Sequence, residues 1–287
     1  MAPRVSGYMS SPVYVISPTD TLAYARNLMF KKDVGRLVVV DWSEKPVGII
    51  TMADIVEAVT GVNYAKTLDE IKVSEAMSKD LVTISPSRSI KAAAHLMIKH
   101  KIGGLPVVGK EDKLVGIITR TDLVRAYGDK YAGELKVSDI MRSEFPKARP
   151  THSIFYVIKL MEADPAKKVV ITDDEGRLLG VIAEKDVALA YIPMQVLASR
   201  GKDRYLRRKV VDALKDKIVS LRSYLVPTAE DIMTKDPITA SPNDEAAEVA
   251  KIMAKERIGC IPVVDEGNKV VGMVTKYDYV ALVARAL

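Results

Sequence analysis

The sequence predicts an α/β (α+β) protein built from four tandem copies of one small unit, and three observations carry that expectation. Four methionines, Met9, Met77, Met141 and Met233, each stand 39 residues before a glycine: Gly48, Gly116, Gly180 and Gly272. Each glycine is followed six residues later by an aspartate: Asp54, Asp122, Asp186 and Asp278. Between these marks, Pro18, Pro86, Pro150 and Pro242 lie nine residues after the leading methionine, and Met29, Met97, Met161 and Met253 lie twenty after it. So many landmarks in register without a gap mark repetition, and missing such a period would misread the whole fold.

The elements of the unit follow in order. After each proline comes Thr19, Ser87, Thr151 or Asn243, side chains that accept from the unpaired N–H groups of a helix start and so predict the N-caps. Next come Leu22/Ala25/Met29, Ile90/Ala93/Met97, Ile154/Val157/Met161 and Ala246/Val249/Met253. Steps of three and four place each set on one apolar face of a helix. Two short apolar runs follow in every copy, for example 37–40 with 47–50 and 169–171 with 178–182. They are rich in β-branched residues and separated by turn residues such as Asp173-Asp174-Glu175-Gly176, the pattern of a strand hairpin. A second helix begins directly after the hairpin. The unit therefore reads as a short strand, a helix, two strands and a helix.

Composition bounds the class. Of 287 residues, 48% are hydrophobic and 28% charged, the proportions of a globular protein with real cores. A single cysteine, Cys260, excludes an internal disulfide framework and fits a reducing compartment. No run approaches the roughly 18 apolar residues of a membrane-spanning helix, and no apolar stretch follows Met1-Ala2-Pro3-Arg4 as a signal peptide requires. The expected location is cytoplasmic. Nine bases and three acids lie between residues 200 and 222, so this one segment holds the whole formal excess of +6.

The stretches Gly48-Ile-Ile-Thr-Met-Ala-Asp54, Gly116-Ile-Ile-Thr-Arg-Thr-Asp122 and Gly272-Met-Val-Thr-Lys-Tyr-Asp278, with Gly-Gly-Leu-Pro-Val-Val (103–108) and Gly-Cys-Ile-Pro-Val-Val (259–264), resemble the CBS domain. Four in tandem resemble the gamma subunit of AMP-activated protein kinase and its stand-alone archaeal relatives. The resemblance covers nearly the whole chain except 193–227. It implies that repeats pair two by two with ligand clefts at each pseudo-twofold interface, pair one over 1–128 and pair two over 129–287. The expected boundaries are repeat 1 at 1–64, repeat 2 at 65–128, repeat 3 at 129–192, a helical insert at 193–227 and repeat 4 at 228–287.

Thr51, Thr119 and Thr275 stand three residues before Asp54, Asp122 and Asp278. Threonine at the N-cap with an acid at the third helical position is a capping arrangement worth about 1 kcal/mol. A helix N-terminus also receives phosphate, and an acid beside it can accept both hydroxyls of a ribose. The two roles are compatible, and the resemblance favours ribose recognition. Repeat 3 departs from the pattern: Ala183 replaces the threonine, Arg149 stands where the others have Ser17, Ser85 and Ser241, and Lys167-Lys168 replace Gly35-Arg36, Gly103-Gly104 and Gly259-Cys260. Its own cleft is expected to be impaired or empty. A strand-end lysine pair is ordinarily a solvated edge feature. The resemblance instead implies that Arg36, Lys167 and Lys168 reach phosphates held by neighbouring repeats, with Arg120 and Lys276 as weaker candidates. It further implies that adenine lies against the backbone near Thr83, Thr239, Gly104 and Cys260, where small side chains let a flat base approach. Cys260 itself reads as a packed residue rather than a reactive thiol.

In the insert, Leu206, Val210, Leu214, Ile218, Leu221 and Leu225 recur at helical spacing. Arg204, Arg207, Arg208 and Lys209 sit at its N-terminal end, against the helix dipole. A solvated face, an acidic protein partner, nucleic acid and an anionic membrane surface all remain open for it. There is no phosphate-cradling Gly-x-x-x-x-Gly-Lys loop, no Gly-x-Ser-x-Gly elbow and no metal-ligand spacing around His95, His100 or His152. The leading expectation is a non-enzymatic regulator that binds AMP, ADP or ATP between paired repeats and relays this to a protein partner. One alternative keeps the fold and binds S-adenosylmethionine or another adenosyl compound. The other is a nucleic-acid-binding regulator that uses the basic segment.

Overall fold

The structure, a computed structural model, describes residues 3–60, 66–187 and 227–286. Repeat 1 comprises β1 (Val15–Ile16), α1 (Leu22–Lys32), β2 (Arg36–Val40), β3 (Pro46–Thr51) and α2 (Met52–Thr60). Repeat 2 comprises α3 (Val73–Ala76), α4 (Ile90–Lys99), β4 (Gly104–Val108), β5 (Leu114–Thr119) and α5 (Arg120–Lys130). Repeat 3 comprises α6 (Val137–Ile140), β6 (Lys147–Ala148), α7 (Ile154–Glu162), β7 (Lys168–Thr172), β8 (Leu178–Ala183) and a helical turn at 184–187. Repeat 4 comprises α8 (Ala229–Ile232), β9 (Thr234–Lys235), α9 (Ala246–Lys255), β10 (Cys260–Val264), β11 (Val270–Thr275) and α10 (Lys276–Ala286). The basic cluster Arg204, Arg207, Arg208 and Lys209 lies outside the described residues.

The predicted helical faces are the buried ones. Leu22, Ala25 and Met29 pack with Leu37, Val39 and Ile50 in repeat 1, and Ile154, Val157 and Met161 pack with Val169, Ile171 and Ile182 in repeat 3. The hairpins keep one register throughout: Arg36 faces Thr51, Gly104 faces Thr119, Lys168 faces Ala183 and Cys260 faces Thr275. The opening strand is a true parallel strand only in repeats 1 and 3. In repeats 2 and 4 it shrinks to one parallel bridge, Ile84 with Val107 and Ala240 with Val263.

The N-caps differ from the expected residues. Thr21, Ser89 and Ser153 cap α1, α4 and α7 by accepting from Tyr24, Ala92 and Tyr156 N–H, and α9 starts after Glu245 without a side-chain cap. Thr19, Ser87, Thr151 and Asn243 fall two residues too early. The prolines open a turn there, closed by Asp20 N–H to the Ser17 carbonyl at 3.1 Å and Arg88 N–H to the Ser85 carbonyl at 3.1 Å. In that turn the hydroxyl of Thr19 meets Ser17 at 2.9 Å and that of Ser87 meets Ser85 at 3.0 Å. Turn chemistry consumed the first hydroxyl and left the cap to the second.

The recurrent methionine and glycine are partners across repeats. A Cβ placed on Gly116 would lie 2.6 Å from the Met9 sulfur, on Gly272 2.6 Å from Met141, and on Gly180 2.8 Å from Met233; Gly48 is approached in the same way by Met77. Repeat 1 thus inserts its leading methionine against repeat 2 and receives one back, and repeats 3 and 4 do likewise. The backbone makes the same exchange. Val5 and Ser6 N–H donate to Arg88 and Pro86 carbonyls, and Val73 and Ser74 to Asp20 and Pro18. Val137 and Ser138 donate to Asp244 and Pro242, and Ala229 and Glu230 to His152 and Pro150. These four reciprocal sets make the two pseudo-twofold pairs.

The chain divides into two compact units: Met1–Leu135 with Glu245–Ile258 and Lys276–Leu287, and Lys136–Asp244 with Gly259–Thr275. Repeat 4 is split between them, with α8 and its strands in the second and α9 and α10 in the first. Within the first unit, α9 and α10 pack on α5. The Tyr127 ring lies 5.0 Å from Tyr131 and 5.2 Å from Tyr279, and Tyr279 Oη donates to the Ala246 carbonyl at 2.7 Å. Within the second, Val170 and Val181 meet Cys260, Val270 and Met273 in one apolar cluster. Among the described residues no helix is long and apolar enough to cross a membrane, and no group of three or more His, Cys, Asp or Glu is placed to hold a metal ion.

Candidate functional site

The strand-to-helix turn forms the expected capping box. In repeat 2, Thr119 N–H and Oγ1–H both donate to Asp122 Oδ2, at 2.8 and 2.7 Å. In repeat 1, Thr51 makes the same pair of bonds to Asp54, both at 2.7 Å, and Asp54 N–H returns one to Thr51 Oγ1 at 3.3 Å. In repeat 3 only the backbone half survives, Ala183 N–H to Asp186 Oδ2 at 2.8 Å. In repeat 4, Thr275 is buried at the end of β11 and Asp278 stands in the first turn of α10.

Asp122 is 7% exposed. Burial holds its carboxyl above the usual carboxylate range, opposed by the two Thr119 bonds and by the positive charges of Arg125 and Lys276. With Oδ2 engaged by the cap, Oδ1 is the oxygen turned to other partners, and Arg125 Nη2 lies 3.5 Å from it.

The bases at the strand starts reach across to the paired repeat. Arg36 opens β2 in repeat 1, yet its guanidinium lies over the start of β4 in repeat 2. A Cβ on Gly103 would sit 2.8 Å from Arg36 Nη2, and one on Gly104 2.7 Å from Nη1 and 3.4 Å from Thr119 Cγ2. The glycine pair is therefore the room the guanidinium occupies, and that room borders Thr119. Lys168 repeats the arrangement: its Cε lies 2.9 Å from where a Gly259 Cβ would be. Solvent still touches part of the Lys168 side chain, but protein crowds the ammonium enough for desolvation to lower its pKa, with Cys260, Glu184 and Asp186 opposing.

Lys167 goes elsewhere. At φ 50° it takes a left-handed backbone turn, and its ammonium pairs with Glu184 of its own repeat at 3.1 Å. Arg120 donates to the Ile102 carbonyl at 3.3 Å and lies over the Tyr277 ring, and Lys276 donates to Thr121 Oγ1 at 2.9 Å. Thr83 and Thr239 are exposed immediately before Ile84 and Ala240, whose backbones bridge to the next strand. Cys260 is packed in the apolar cluster of the second unit. Repeat 2 thus brings Gly104, Thr119 and Asp122 together with Arg36 from repeat 1, while Thr83 directly precedes the residue that bridges to Val107. Repeat 1 keeps its own Thr51 and Asp54, but its strand start is faced by the glycines of repeat 2 rather than by a cation.

The family model of the CBS domain matches four segments, residues 5–61, 73–129, 137–192 and 229–285. The chain belongs to the CBS-domain family. Over 279 residues it is 28% identical to the uncharacterized protein MJ1225 of Methanocaldococcus jannaschii, covering 93% of each chain. The crystal structure of MJ1225, described as a candidate archaeal homolog of g-AMPK, aligns with a TM-score of 0.76 at 25% identity, covering 97% of this chain and 99% of that one. A Pyrococcus horikoshii protein of 20% identity shares the fold, with a TM-score of 0.64 over 98% of this chain and 99% of its own. A partial match of 40% identity joins 116 residues, 40% of this CBS-domain chain, to 23% of inosine-5'-monophosphate dehydrogenase from M. jannaschii.

The alternation of bases and small residues at the strand starts (Arg36, Gly104, Lys168, Cys260) was present in the sequence. The family resemblance directed Arg36, Lys167 and Lys168 alike to neighbouring repeats; Arg36 and Lys168 lie there, against Gly103–Gly104 and Gly259, whereas Lys167 pairs with Glu184 of its own repeat.

Proposed function

We propose that this CBS-domain protein is a non-catalytic regulator that binds an adenine nucleotide in repeat 2, with Asp122 on the ribose and Arg36 on the phosphates. Arg36 carries the reading: a guanidinium from repeat 1 nests on Gly103 and Gly104 beside Thr119 of repeat 2. Its planar fork suits phosphate oxygens, while Asp122 Oδ1 is available to ribose hydroxyls. The flat base lies along the backbone between Thr83 and Gly104. Repeat 4 offers Thr239, Cys260 and Thr275 for a second nucleotide, with Lys168 as its cation, and Asp278 follows Thr275 by three residues in the sequence. Repeat 1 retains Thr51 and Asp54 without a cation, and repeat 3 lacks the hydroxyl at Ala183. The resemblance of MJ1225 to a kinase gamma subunit supports the adenylate reading.

A ligand held by Arg36 and Asp122 ties repeat 1 to repeat 2, so its affinity depends on how the two are placed. It can relay a signal to a protein partner only through that difference in affinity between two states. Isothermal titration with adenosine, AMP, ADP, ATP and S-adenosylmethionine tests the assignment. Asp122→Ala should weaken every adenosyl ligand at one site, with Asp54→Ala and Asp278→Ala acting on others. Arg36→Ala should weaken AMP, ADP and ATP about tenfold or more through loss of a charge-assisted contact, while leaving adenosine unchanged. Unchanged titrations in all four variants would sink the reading. S-adenosylmethionine as the tightest ligand, indifferent to Arg36→Ala, would replace it with the adenosyl-sensor alternative.

A further inference from the structure

A cavity of about 510 Å³ opens where the leading segment of repeat 1 crosses α5, and Arg4, Tyr8, Arg125, Asp129 and Lys130 face it. Its wall is held in place. Pro3 accepts from Ile90 N–H at 2.9 Å, Val5 N–H donates to the Arg88 carbonyl at 2.8 Å, and Arg125 Nη2 donates to the Tyr8 carbonyl at 2.6 Å. The Arg125 guanidinium also lies over the Tyr8 ring, 5.7 Å from its centroid. Burial, and then the Asp129 carboxylate, push the Tyr8 phenol upward, so it stays protonated and able to donate. Three cations and a hydroxyl thus converge on a space that holds one carboxylate. Among the described residues neither Arg4 nor Lys130 forms an ion pair.

The fold does not require Arg125 or Lys130. The positions that correspond to Arg125 hold Glu57, Leu189 and Ala281, and those that correspond to Lys130 hold Val62, Met194 and Ala286. Helix α5 packs through Leu123, Val124, Ala126 and Tyr127, all buried, and not through Arg125 or Lys130. Arg4 has basic counterparts in Lys72 and Lys136, but Arg125 and Lys130 have none; two bases peculiar to repeat 2, gathered with Arg4 around a cavity and away from the packed face, point to a ligand.

We propose that this cavity is a separate binding site for a small polyanion, a molecule carrying two or more neighbouring phosphate or carboxylate groups, gripped by Arg4, Arg125 and Lys130. Arg125 also stands 3.5 Å from Asp122 Oδ1. A polyanion that draws Arg125 toward the cavity therefore changes the charge felt by the carboxylate assigned to ribose, and the two ligands alter each other's affinity by the same factor. That coupling rests on the ribose reading; the polyanion site does not.

The probe is pyrophosphate, titrated calorimetrically into the full chain at low salt. One double variant carries Arg4→Ala with Lys130→Ala, and a second carries Arg36→Ala with Lys168→Ala. The wild type should bind pyrophosphate. The first double variant should bind about a hundredfold more weakly, the loss of two charge-assisted contacts, and the second should retain binding. All four substitutions are at residues with accessible side chains. If the first double variant unfolds early, Lys130→Gln alone should weaken pyrophosphate about tenfold. The proposal is overturned if the wild type does not bind pyrophosphate, if Arg4→Ala with Lys130→Ala binds it as well as the wild type, or if binding vanishes with Arg36 and Lys168. AMP titrated into the first double variant keeps the two readings apart, because the nucleotide site should still fill.

Discussion

Substituting Gly180 by alanine tests the packing that joins repeats 3 and 4. The new methyl would sit 2.8 Å from the Met233 sulfur, 2.8 Å from the Thr234 carbonyl oxygen and 3.0 Å from Met233 Cγ. Comfortable heavy-atom contacts lie at about 3.5–4.0 Å, so something must move by more than half an ångström. The sulfur ends a flexible chain, but Met233 is 7% exposed and packed against Ile232, Ile182 and their neighbours. The carbonyl belongs to β9, which pairs Lys235 with Gly180 and Thr234 with Val181. Overpacking of this kind costs about 1–3 kcal/mol. Alanine recovers about 0.4–1 kcal/mol by narrowing the unfolded ensemble. The net expectation is a loss of about 1–2 kcal/mol, or about 2–8 °C in Tm for a unit of this size. Gly35→Ala is the control, since nothing lies within 4 Å of its added carbon, and it should be neutral or slightly stabilising. Thermal unfolding followed by circular dichroism reads both. A Gly180→Ala midpoint equal to or above that of Gly35→Ala would refute the packing argument.

Three further outcomes are expected. Ala183→Thr restores the missing hydroxyl of the capping box in repeat 3, where Ala183 N–H already reaches Asp186; it should add about 0.5–1 kcal/mol in denaturant melts, and a loss would show the turn to be closed to a side chain. Lys168→Met removes an ammonium whose pKa burial depresses; the unliganded protein should be as stable or up to about 1 kcal/mol more stable, while ADP binding weakens at one site. Asp122 has a folded pKa raised by burial, so the native state holds its proton to higher pH than the unfolded chain does. Stability from that proton is present at low pH and lost as pH rises through the folded value, so wild type should gain on Asp122→Asn between pH 7 and pH 4, and a falling difference would contradict the burial argument.

Much of the fold could be read from residue order because it is encoded within each repeat. Steps of three and four set the faces of α1, α4, α7 and α9, and the β-branched runs set the hairpins within a residue or so. The cap positions were misjudged because two hydroxyl or amide residues, such as Thr19 and Thr21, stand two apart and only the turn geometry decides between them. The site was legible where it is local: the Thr119–Asp122 spacing alone forecasts the box. The reach of Arg36 into the neighbouring repeat came from the family resemblance alone, because periodicity reports which face a residue occupies and not which neighbour it meets. The same blindness hid the meaning of the 39-residue interval between methionine and glycine, whose two ends belong to different contacts.

The exchanged leading segments constrain how such a chain can be built. Each copy supplies the opening residues that finish its mate and depends on its mate for its own, so an odd copy would carry one unfilled notch and one idle key. Lengthening by duplication is therefore favoured in twos. Cutting away residues 3–9 should injure repeat 2, the copy that receives Met9, before it injures the copy to which those residues are joined.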